Sequence, residues 1–239
     1  MAHMTSQKRG SLVQDGGTTV RAAPPTTEPR EERWFDHVAP AFRATLATLF
    51  LTGLLYPLAM TAIAQGLFHH RAEGSFVTDG SGKVVGSELI AQAFSAPGYF
   101  QPRPSAAGNN GYDPLATSGS NLGPTSKKLR DQATAFLEKL KKENPDAVGP
   151  APVELITQSG SGLDPHLSPS AAMWQAPRVA RARSVSVERV RALISENTEG
   201  RDLGILGELR VNVLQLNLAL DRRFGTLSSV LPAGRATEK

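Results

Sequence analysis

With 239 residues, 40% of them hydrophobic, the chain is long enough for one ordinary domain, a membrane anchor and a tail, but not for two large globular domains. The lack of cysteine excludes disulfide frameworks, thiolate zinc sites and thiol nucleophiles. The net charge of +4 is spread along the chain and aromatic residues make up only 6%, so we attribute the charge to solubility and predict no nucleic-acid partner.

The two ends of the chain are predicted to lack stable structure. Residues 1–38 are polar, with Gly16-Gly17 and Pro24-Pro25, and show no helical or alternating apolar period. They cannot bury enough apolar surface to offset the entropy of ordering, so we expect a disordered tail. Its start, Met1-Ala2-His3-Met4, is typical of a cloning scar and is excluded from fold reasoning. A flexible tail is also expected over residues 224–239.

A long apolar stretch follows the polar tail. No Asp, Glu, Lys or Arg occurs between Arg43 and Arg71. As a helix, about 25 of these positions reach roughly 38 Å, enough to cross a hydrocarbon core of about 30 Å. We therefore predict one transmembrane helix over residues 42–68. The triplet Ala62-Ile63-Ala64 resembles a signal-peptide cleavage site, but the polar region before it and the apolar stretch are both too long for that alternative.

Small and hydroxyl side chains recur every four residues inside the predicted span, at Ala44, Thr48, Thr52 and Tyr56. They share one helix face, where another membrane helix can approach closely. We predict a partner-helix face there; the alternative is that alanine and threonine are simply common in such helices. Pro57 is expected to kink the helix because it removes a backbone donor.

Basic residues are unevenly distributed around the span. Arg30, Arg33 and Arg43 precede it, and Arg71 and Lys83 follow it. The positive-inside rule then predicts a single-pass protein with a cytoplasmic amino terminus and an external main domain.

Residues 72–223 are predicted to form one extramembrane domain of mixed α and β structure. A hairpin is expected over residues 75–86, around a turn at 79–82, and Ser87 is expected to cap a short helix. Residues 95–124 are rich in proline and glycine, and loops of that length are usually functional or packed against a partner.

Further elements of this domain follow from capping residues and apolar spacing. The fold class is therefore α+β, with an N-terminal transmembrane helix followed by one mixed α/β domain. In chain order, these elements are a helix capped by Thr125 or Ser126 and stopped by Asn144-Pro145, a strand over 153–157, a helix from Ser168-Pro169 that breaks near Pro177, a helix capped by Ser186, and an element over 211–220 with both helical and strand spacing.

Two short motifs resemble each other: residues 118–124 and 159–165 share Ser-Gly-Ser-x-Leu-x-Pro. Glycines beside serines expose backbone N–H groups and hydroxyls, which bind phosphate when a helix begins nearby. No Lys-Ser or Lys-Thr completes a P-loop, so the favoured interpretation is a pair of tight structural loops.

Ser161, Asp164 and His166 include the residue types of a nucleophilic catalytic set. Three residues on one short loop rarely converge, and no Gly-x-Ser-x-Gly elbow surrounds Ser161. A membrane-anchored extracytoplasmic hydrolase is therefore only the alternative function.

Two other groups of residues are interpreted without a site. His69-His70 lacks a third ligand, so no metal site is predicted. Arg178, Arg181 and Arg183 are expected to form a solvated or partner-facing surface.

Several sequence blocks between about Phe42 and Asp221 resemble, in the same order, the potassium-transporting ATPase C chain of the Kdp complex. The polar tail before Phe42 departs from that family. The blocks are Tyr56-Pro57-Leu58, Gly74-Ser75, Val85-Gly86-Ser87-x-Leu89-Ile90-x-Gln92-x-Phe94, Tyr99-Phe100-x-x-Arg103-Pro104-Ser105, residues 118–122 and 161–165, Trp174-Gln175-x-Pro177-Arg178-Val179-Ala180-x-Ala182-Arg183, and Val211-Asn212-Val213-Leu214-x-Leu216-Asn217-x-Ala219-Leu220-Asp221.

The resemblance implies a non-catalytic accessory subunit of an ATP-driven, high-affinity potassium pump in the bacterial inner membrane. Its partners would be a potassium-channel-like subunit, a P-type ATPase catalytic subunit, a small subunit and membrane lipid. Potassium would be carried by a partner subunit, and this chain has no Asp-Lys-Thr-Gly phosphorylation motif. The resemblance also implies a contribution to ATP binding, for which the candidate residues are Ser159, Gly160, Ser161, Gly162 and Gln175. An external domain would not meet cytoplasmic ATP.

Overall fold

A computed structural model of the chain describes residues 33–227, which fall into two compact units divided between Ala59 and Met60. Most of the predicted tail over 1–38, and residues 228–239 of the other predicted tail, lie outside the described residues. One long apolar helix precedes a domain of helices and small sheets, which confirms the predicted fold class. The elements are α1 (Trp34–Thr48), a π-helical segment (Leu49–Leu55), α2 (Tyr56–Leu67), α3 (His69–Ala72), β1 (Phe76–Thr78), β2 (Val84–Ser87), α4 (Lys127–Glu143), a 3₁₀ turn (Val153–Leu155), β3 (His166–Leu167), α5 (Pro169–Ala182), α6 (Val187–Glu196), β4 (Thr198–Glu199), β5 (Arg210–Asn212) and α7 (Val213–Phe224).

The amino-terminal helix runs without a break from Trp34 to Leu67 and so begins before the predicted start at residue 42. The π-helical segment lies just before Pro57, and the N–H of Tyr56 bonds to the carbonyl of Leu51, five residues back. Proline has no N–H, and its ring crowds the carbonyl one turn earlier. The disturbance predicted at Pro57 thus takes the form of a widened turn.

The hairpin predicted over residues 75–86 is confirmed, since β1 and β2 pair antiparallel. The short helix predicted after Ser87 is wrong, because residues 88–90 form a turn and 91–94 have no regular structure. The Ser87 hydroxyl donates to the carbonyl of Gly74 at 2.7 Å and accepts the N–H of Leu89 at 3.2 Å, which closes a turn. The Ala91 N–H then bonds to the distant Leu163 carbonyl at 2.9 Å.

Residues 125–157 contain one correct and one wrong prediction. Helix α4 begins after Ser126, whose hydroxyl accepts the N–H of Leu129, and it ends before Asn144, as predicted. The strand predicted over 153–157 is wrong, because these residues begin with a 3₁₀ turn. Pro152 restricts its own backbone, and its carbonyl accepts the N–H of Leu155 at 3.0 Å, which favours a local turn.

The predicted helix from Pro169 is confirmed, but the expected break near Pro177 is wrong, because α5 continues to Ala182. Ala176 and Val179 on either side of this proline are fully buried, so packing holds the helix in place. The helix capped by Ser186 is confirmed as α6. Residues 211–220 show both predicted characters, with strand β5 leading into helix α7 after Asn212.

Helices α5, α6 and α7 pack with a three-stranded antiparallel sheet of order β3-β5-β4. His166 pairs with Asn212 and Thr198 with Val211, so β5 is the central strand. This arrangement places the core beside the long irregular segment over residues 95–124. The fully buried apolar side chains include Phe100, Val179, Val190, Ile194, Val211, Leu216 and Leu220.

Candidate functional site

The amino-terminal helix is the first candidate for an interaction. Among residues 33–227, Trp34–Leu67 is the one helix long and apolar enough to span a membrane. None of its side chains is buried in the protein. An apolar helix that buries none of its side chains against the described part of the chain needs an apolar environment, which lipid supplies.

The predicted partner-helix face is exposed along its whole length, at Ala44, Thr48, Thr52 and Tyr56. The Thr52 hydroxyl donates to the Thr48 carbonyl at 2.7 Å, so it needs no partner on another helix. The π-helical segment lies between Thr48 and Tyr56. Docking of another helix on this face stays a prediction.

The two Ser-Gly-Ser motifs contact each other. The Ser118 N–H donates to the Ser161 carbonyl at 3.0 Å. A Cβ on Gly119 would lie 2.7 Å from the Gly160 carbonyl oxygen, and one on Gly162 would lie 2.6 Å from the Ser118 carbonyl oxygen. Because Gly162 also has a φ of +72°, the glycines serve the close approach of two backbones.

The candidate nucleotide residues occupy two separate environments. Gly160 and Ser161 are exposed, whereas Ser159 is buried and its N–H donates to the Pro104 carbonyl at 3.3 Å. Gln175 is fully buried within α5. In the described part of the chain, no hydrogen bond joins Gln175 to residues 159–162. A nucleotide contact by these residues stays a prediction.

The candidate catalytic set is held in structural hydrogen bonds. The Ser161 hydroxyl accepts the N–H of Leu163 at 3.1 Å. Asp164 accepts the His166 N–H at 3.0 Å and pairs with Arg103 at 3.2 Å. Across residues 33–227 there is no hydrogen bond from Ser161 to His166, so the nucleophile–base contact that such catalysis uses is missing.

The two histidines at the end of the span also have protein partners. His69 Nδ1 lies 3.0 Å from Gln65 Oε1, and His70 Nε2 lies 3.5 Å from Glu88 Oε1. No cluster of three or more potential metal ligands occurs within the described range 33–227.

Two buried amide side chains hold the start of the long irregular segment. Asn217 of α7 accepts the Phe100 N–H at 2.8 Å and donates to the Phe100 carbonyl at 3.0 Å. Gln175 of α5 does the same for Gln101, at 3.0 Å in each direction. The two amides thus satisfy backbone groups that a neighbouring strand would otherwise pair.

Two arginines, Arg178 and Arg183, complete this arrangement. We use the name polar clamp for the set of four side chains Gln175, Arg178, Arg183 and Asn217. Arg178 is 4% exposed and donates to the Tyr99 carbonyl at 3.0 Å and to Asn144 Oδ1 at 2.9 Å. Burial lowers the pKa of Arg178 to about 10, although the nearby Glu143 opposes that shift.

Arg183 holds the same segment from the other end of α5. Its Nε donates to the Gly98 carbonyl at 2.7 Å, its Nη2 pairs with Asp221 at 2.7 Å, and its guanidinium lies 4.8 Å from the centre of the Tyr99 ring. Burial, together with a hydrogen bond to Asp221, raises the pKa of Tyr99.

The expected arginine surface is therefore wrong at two of its three positions. Arg178 is buried, and the Arg183 side chain is 1% exposed, both within the polar clamp. Of the three arginines, Arg181 is the exposed one, and it pairs with Asp146. The sequence signal that could have indicated the polar clamp is a polar residue inside an apolar run, such as Asn217 between two leucines. Such a residue, when buried, must find a hydrogen-bond partner elsewhere in the fold.

Comparison with known proteins identifies the family. A family model described as the K+-transporting ATPase, c chain, matches residues 38–222. A Myxococcus xanthus protein named potassium-transporting ATPase KdpC subunit is 62% identical over 199 residues, covering 82% of this chain and 94% of its own.

Proteins of the same name occur among relatives from other bacteria. The one from Rhodospirillum rubrum is 54% identical over 185 residues, 77% of this chain and 95% of the relative. The one from Sorangium cellulosum is 51% identical over 185 residues, 77% of this chain and 97% of the relative. None of these relatives supports the hydrolase alternative. The chain belongs to the KdpC family, the c chain of the K+-transporting ATPase.

Proposed function

We propose that this chain assembles or stabilises an ATP-driven potassium uptake pump as its membrane-anchored accessory subunit. The observation that carries the proposal is the family match over residues 38–222, which includes most of the apolar helix and the domain that follows it. KdpC proteins are subunits of the K+-transporting ATPase and are not catalytic on their own. The partners are then the potassium-channel-like subunit, the catalytic P-type ATPase subunit and the small subunit of that pump.

Omitting this chain from co-expression tests the proposal. We expect a much lower yield of assembled pump and of potassium-stimulated ATP hydrolysis, restored when the chain is supplied in trans. A pump that assembles and hydrolyses ATP equally well without the chain would contradict an assembly role.

The membrane helix is proposed to dock on these partners through Ala44, Thr48 and Thr52. Exposed small side chains support this proposal, because they let a second helix come close in lipid. Leucine at both Thr48 and Thr52 should then reduce co-purification of the pump. Thr61→Leu, at another exposed position of the same helix, is the matched control and should leave the yield unchanged. Equal yields from both variants would count against this face.

The domain is proposed to lie outside the cytoplasm, on the outer surface of the channel-like subunit. Support comes from Arg30, Arg33 and Arg43 before the span, against Arg71 and Lys83 after it. Protease added to intact spheroplasts should cleave the domain without permeabilisation. Cleavage only after lysis would mean that the domain lies in the cytoplasm.

A contribution to ATP binding by residues 159–162 and Gln175 is proposed as the alternative to an external domain, because these residues meet cytoplasmic ATP only if the domain lies in the cytoplasm. Exposure of Gly160 and Ser161 supports it, since glycine and serine residues at a surface can contact a phosphate. Photolabelling of the intact pump with an ATP analogue should mark this chain, and Ser161→Ala should weaken the label. An unlabelled chain in a pump that hydrolyses ATP would remove the proposal.

A further inference from the structure

Residues 201–209, called the apolar hairpin loop, expose four large apolar side chains within seven positions. Leu203 is 89% exposed, Ile205 75%, Leu206 56% and Leu209 51%. Scattered exposed leucines are ordinary on a protein surface, but a contiguous group of them marks an interaction site.

The loop holds its shape without covering these side chains. Asp202 and Leu206 exchange two backbone hydrogen bonds, of 2.8 and 2.9 Å, and the Gly204 N–H donates to the Arg201 carbonyl at 3.0 Å. Ion pairs at its base join Arg210 to Asp202 at 3.2 Å and Arg201 to Glu208 at 3.1 Å. A preorganised loop loses little entropy when it binds a partner.

Leu203 adds an independent observation, because its φ is +54°. A residue with a Cβ is unfavourable in this left-handed region, where glycine and asparagine are tolerated best. Within residues 33–227, Leu203 has no covering contact that would offset this strain, since it is almost fully exposed. Strain of this kind persists mostly at functional sites, which indicates that the leucine serves a contact outside this chain.

The charges around the loop favour a protein over a lipid surface as the binding partner. Three carboxylates (Glu199, Asp202 and Glu208) stand against two guanidinium groups (Arg201 and Arg210), so the loop carries no excess of positive charge. Both arginines are engaged in ion pairs within the loop or at its base. Loops and helices that bind anionic membranes use surplus basic residues with tryptophan or tyrosine, and this loop has neither.

We propose that the apolar hairpin loop docks into an uncharged, apolar pocket on another subunit of the K+-transporting ATPase. The proposal rests on the proposed function, because it requires that the chain is part of the pump. Leu203 and Ile205, the two most exposed apolar side chains of this loop, are the inserted anchors. Burial of these two side chains would stabilise the complex by removing their apolar surface from water.

A photoreactive phenylalanine derivative in place of Ile205 identifies the occupant in native membranes. The matched control carries it at Leu115, which is 94% exposed and lies elsewhere in the domain. We expect irradiation to join position 205, but not 115, to a pump subunit identified by mass spectrometry. A lipid adduct, or no protein adduct from a pump that still co-purifies, would overturn the inference. Failure of the wild-type chain to co-purify would instead sink the proposed function.

Leu203→Asn separates binding from folding. Asparagine tolerates the left-handed region, so the thermal unfolding midpoint of the detergent-solubilised chain should stay the same or rise. Association with the other subunits should weaken about tenfold, the effect of exposing one anchoring leucine. Leu115→Asn is the control and should change neither quantity. Unchanged association of the Leu203→Asn chain would refute the docking role.

Discussion

Residues 95–112 and the apolar hairpin loop are both irregular segments of the same domain, but they place their apolar side chains in opposite environments. The first segment buries Phe100 and Ala107 completely, whereas the second leaves Leu203 89% exposed. The first contributes to the core, and the second contributes nothing to it.

The difference lies in what satisfies the backbone polar groups. In residues 95–112 the polar clamp supplies partners from α5 and α7, which allows an irregular backbone to be buried at low cost. In the apolar hairpin loop the hydrogen bonds are local, between Asp202 and Leu206. Because side chains from other elements stabilise the first segment, replacing a residue of the polar clamp should destabilise the domain. Replacing a residue at the tip of the apolar hairpin loop should not.

Removing Arg183 should have the largest effect on stability. Its side chain is 1% exposed and pairs with Asp221. Arg183→Met therefore leaves the Gly98 carbonyl without its donor and removes the charged partner of Asp221, whose carboxylate keeps the Tyr99 hydroxyl as a donor. We expect a loss of about 3–5 kcal/mol in the free energy of unfolding, measured by chemical denaturation in detergent. Arg181→Met is the matched control, because it removes a nearby arginine from an ion pair with Asp146 that is exposed. A similar loss in the free energy of unfolding of both variants would mean that burial of the ion pair does not determine its contribution to stability.

Asn217→Ala should come next. The change leaves the N–H and the carbonyl of Phe100 unpaired in the core, and each unpaired group costs about 1–3 kcal/mol. We expect a loss of about 2–4 kcal/mol, with earlier exposure of residues 95–101 to hydrogen exchange than in the wild type. Asn110→Ala, at an exposed position of the same irregular segment, should be nearly neutral. Unaltered exchange at Phe100 would show that Asn217 does not hold this segment.

Gly162→Ala tests the contact between the two Ser-Gly-Ser motifs and should cost about 2 kcal/mol. The new Cβ would lie 2.6 Å from the Ser118 carbonyl oxygen and 2.8 Å from the Ala107 nitrogen, at a φ of +72°. Gly160→Ala is the matched control in the same loop, since nothing lies within 4 Å of its added Cβ. Equal melting temperatures for the two variants would contradict the requirement for glycine at position 162.

Local signals made much of the fold predictable. The hydroxyls of Ser126, Ser168 and Ser186 cap their helices as expected, because a cap depends only on residues a few positions away. The polar clamp was not predictable, because Asn217 and Phe100 are 117 residues apart and no pattern near either one points to the other. The wrong helix after Ser87 has the same cause, since the bond from Ala91 to Leu163 decides that backbone.

Tyr112, at the end of the buried irregular segment, should have the smallest effect and a distinctive pH dependence. Its hydroxyl donates to the Arg103 carbonyl at 2.8 Å, and burial raises its pKa from 10.0 to about 12. The folded state therefore holds this proton more tightly than the unfolded state, so the stabilisation is complete below pH 10 and is lost as the pH rises towards 12. We expect Tyr112→Phe to cost about 1 kcal/mol at pH 8, where the hydrogen bond is lost. Between pH 8 and 11 the wild type should lose about 1.4 kcal/mol more than the variant, because phenylalanine has no proton to release. The free energy of unfolding of both proteins is measured by urea unfolding at each pH. Tyr99 is present in both proteins, so its contribution cancels in the difference. Parallel pH profiles would mean that the Tyr112 phenol ionises as easily in the folded chain as in the unfolded one.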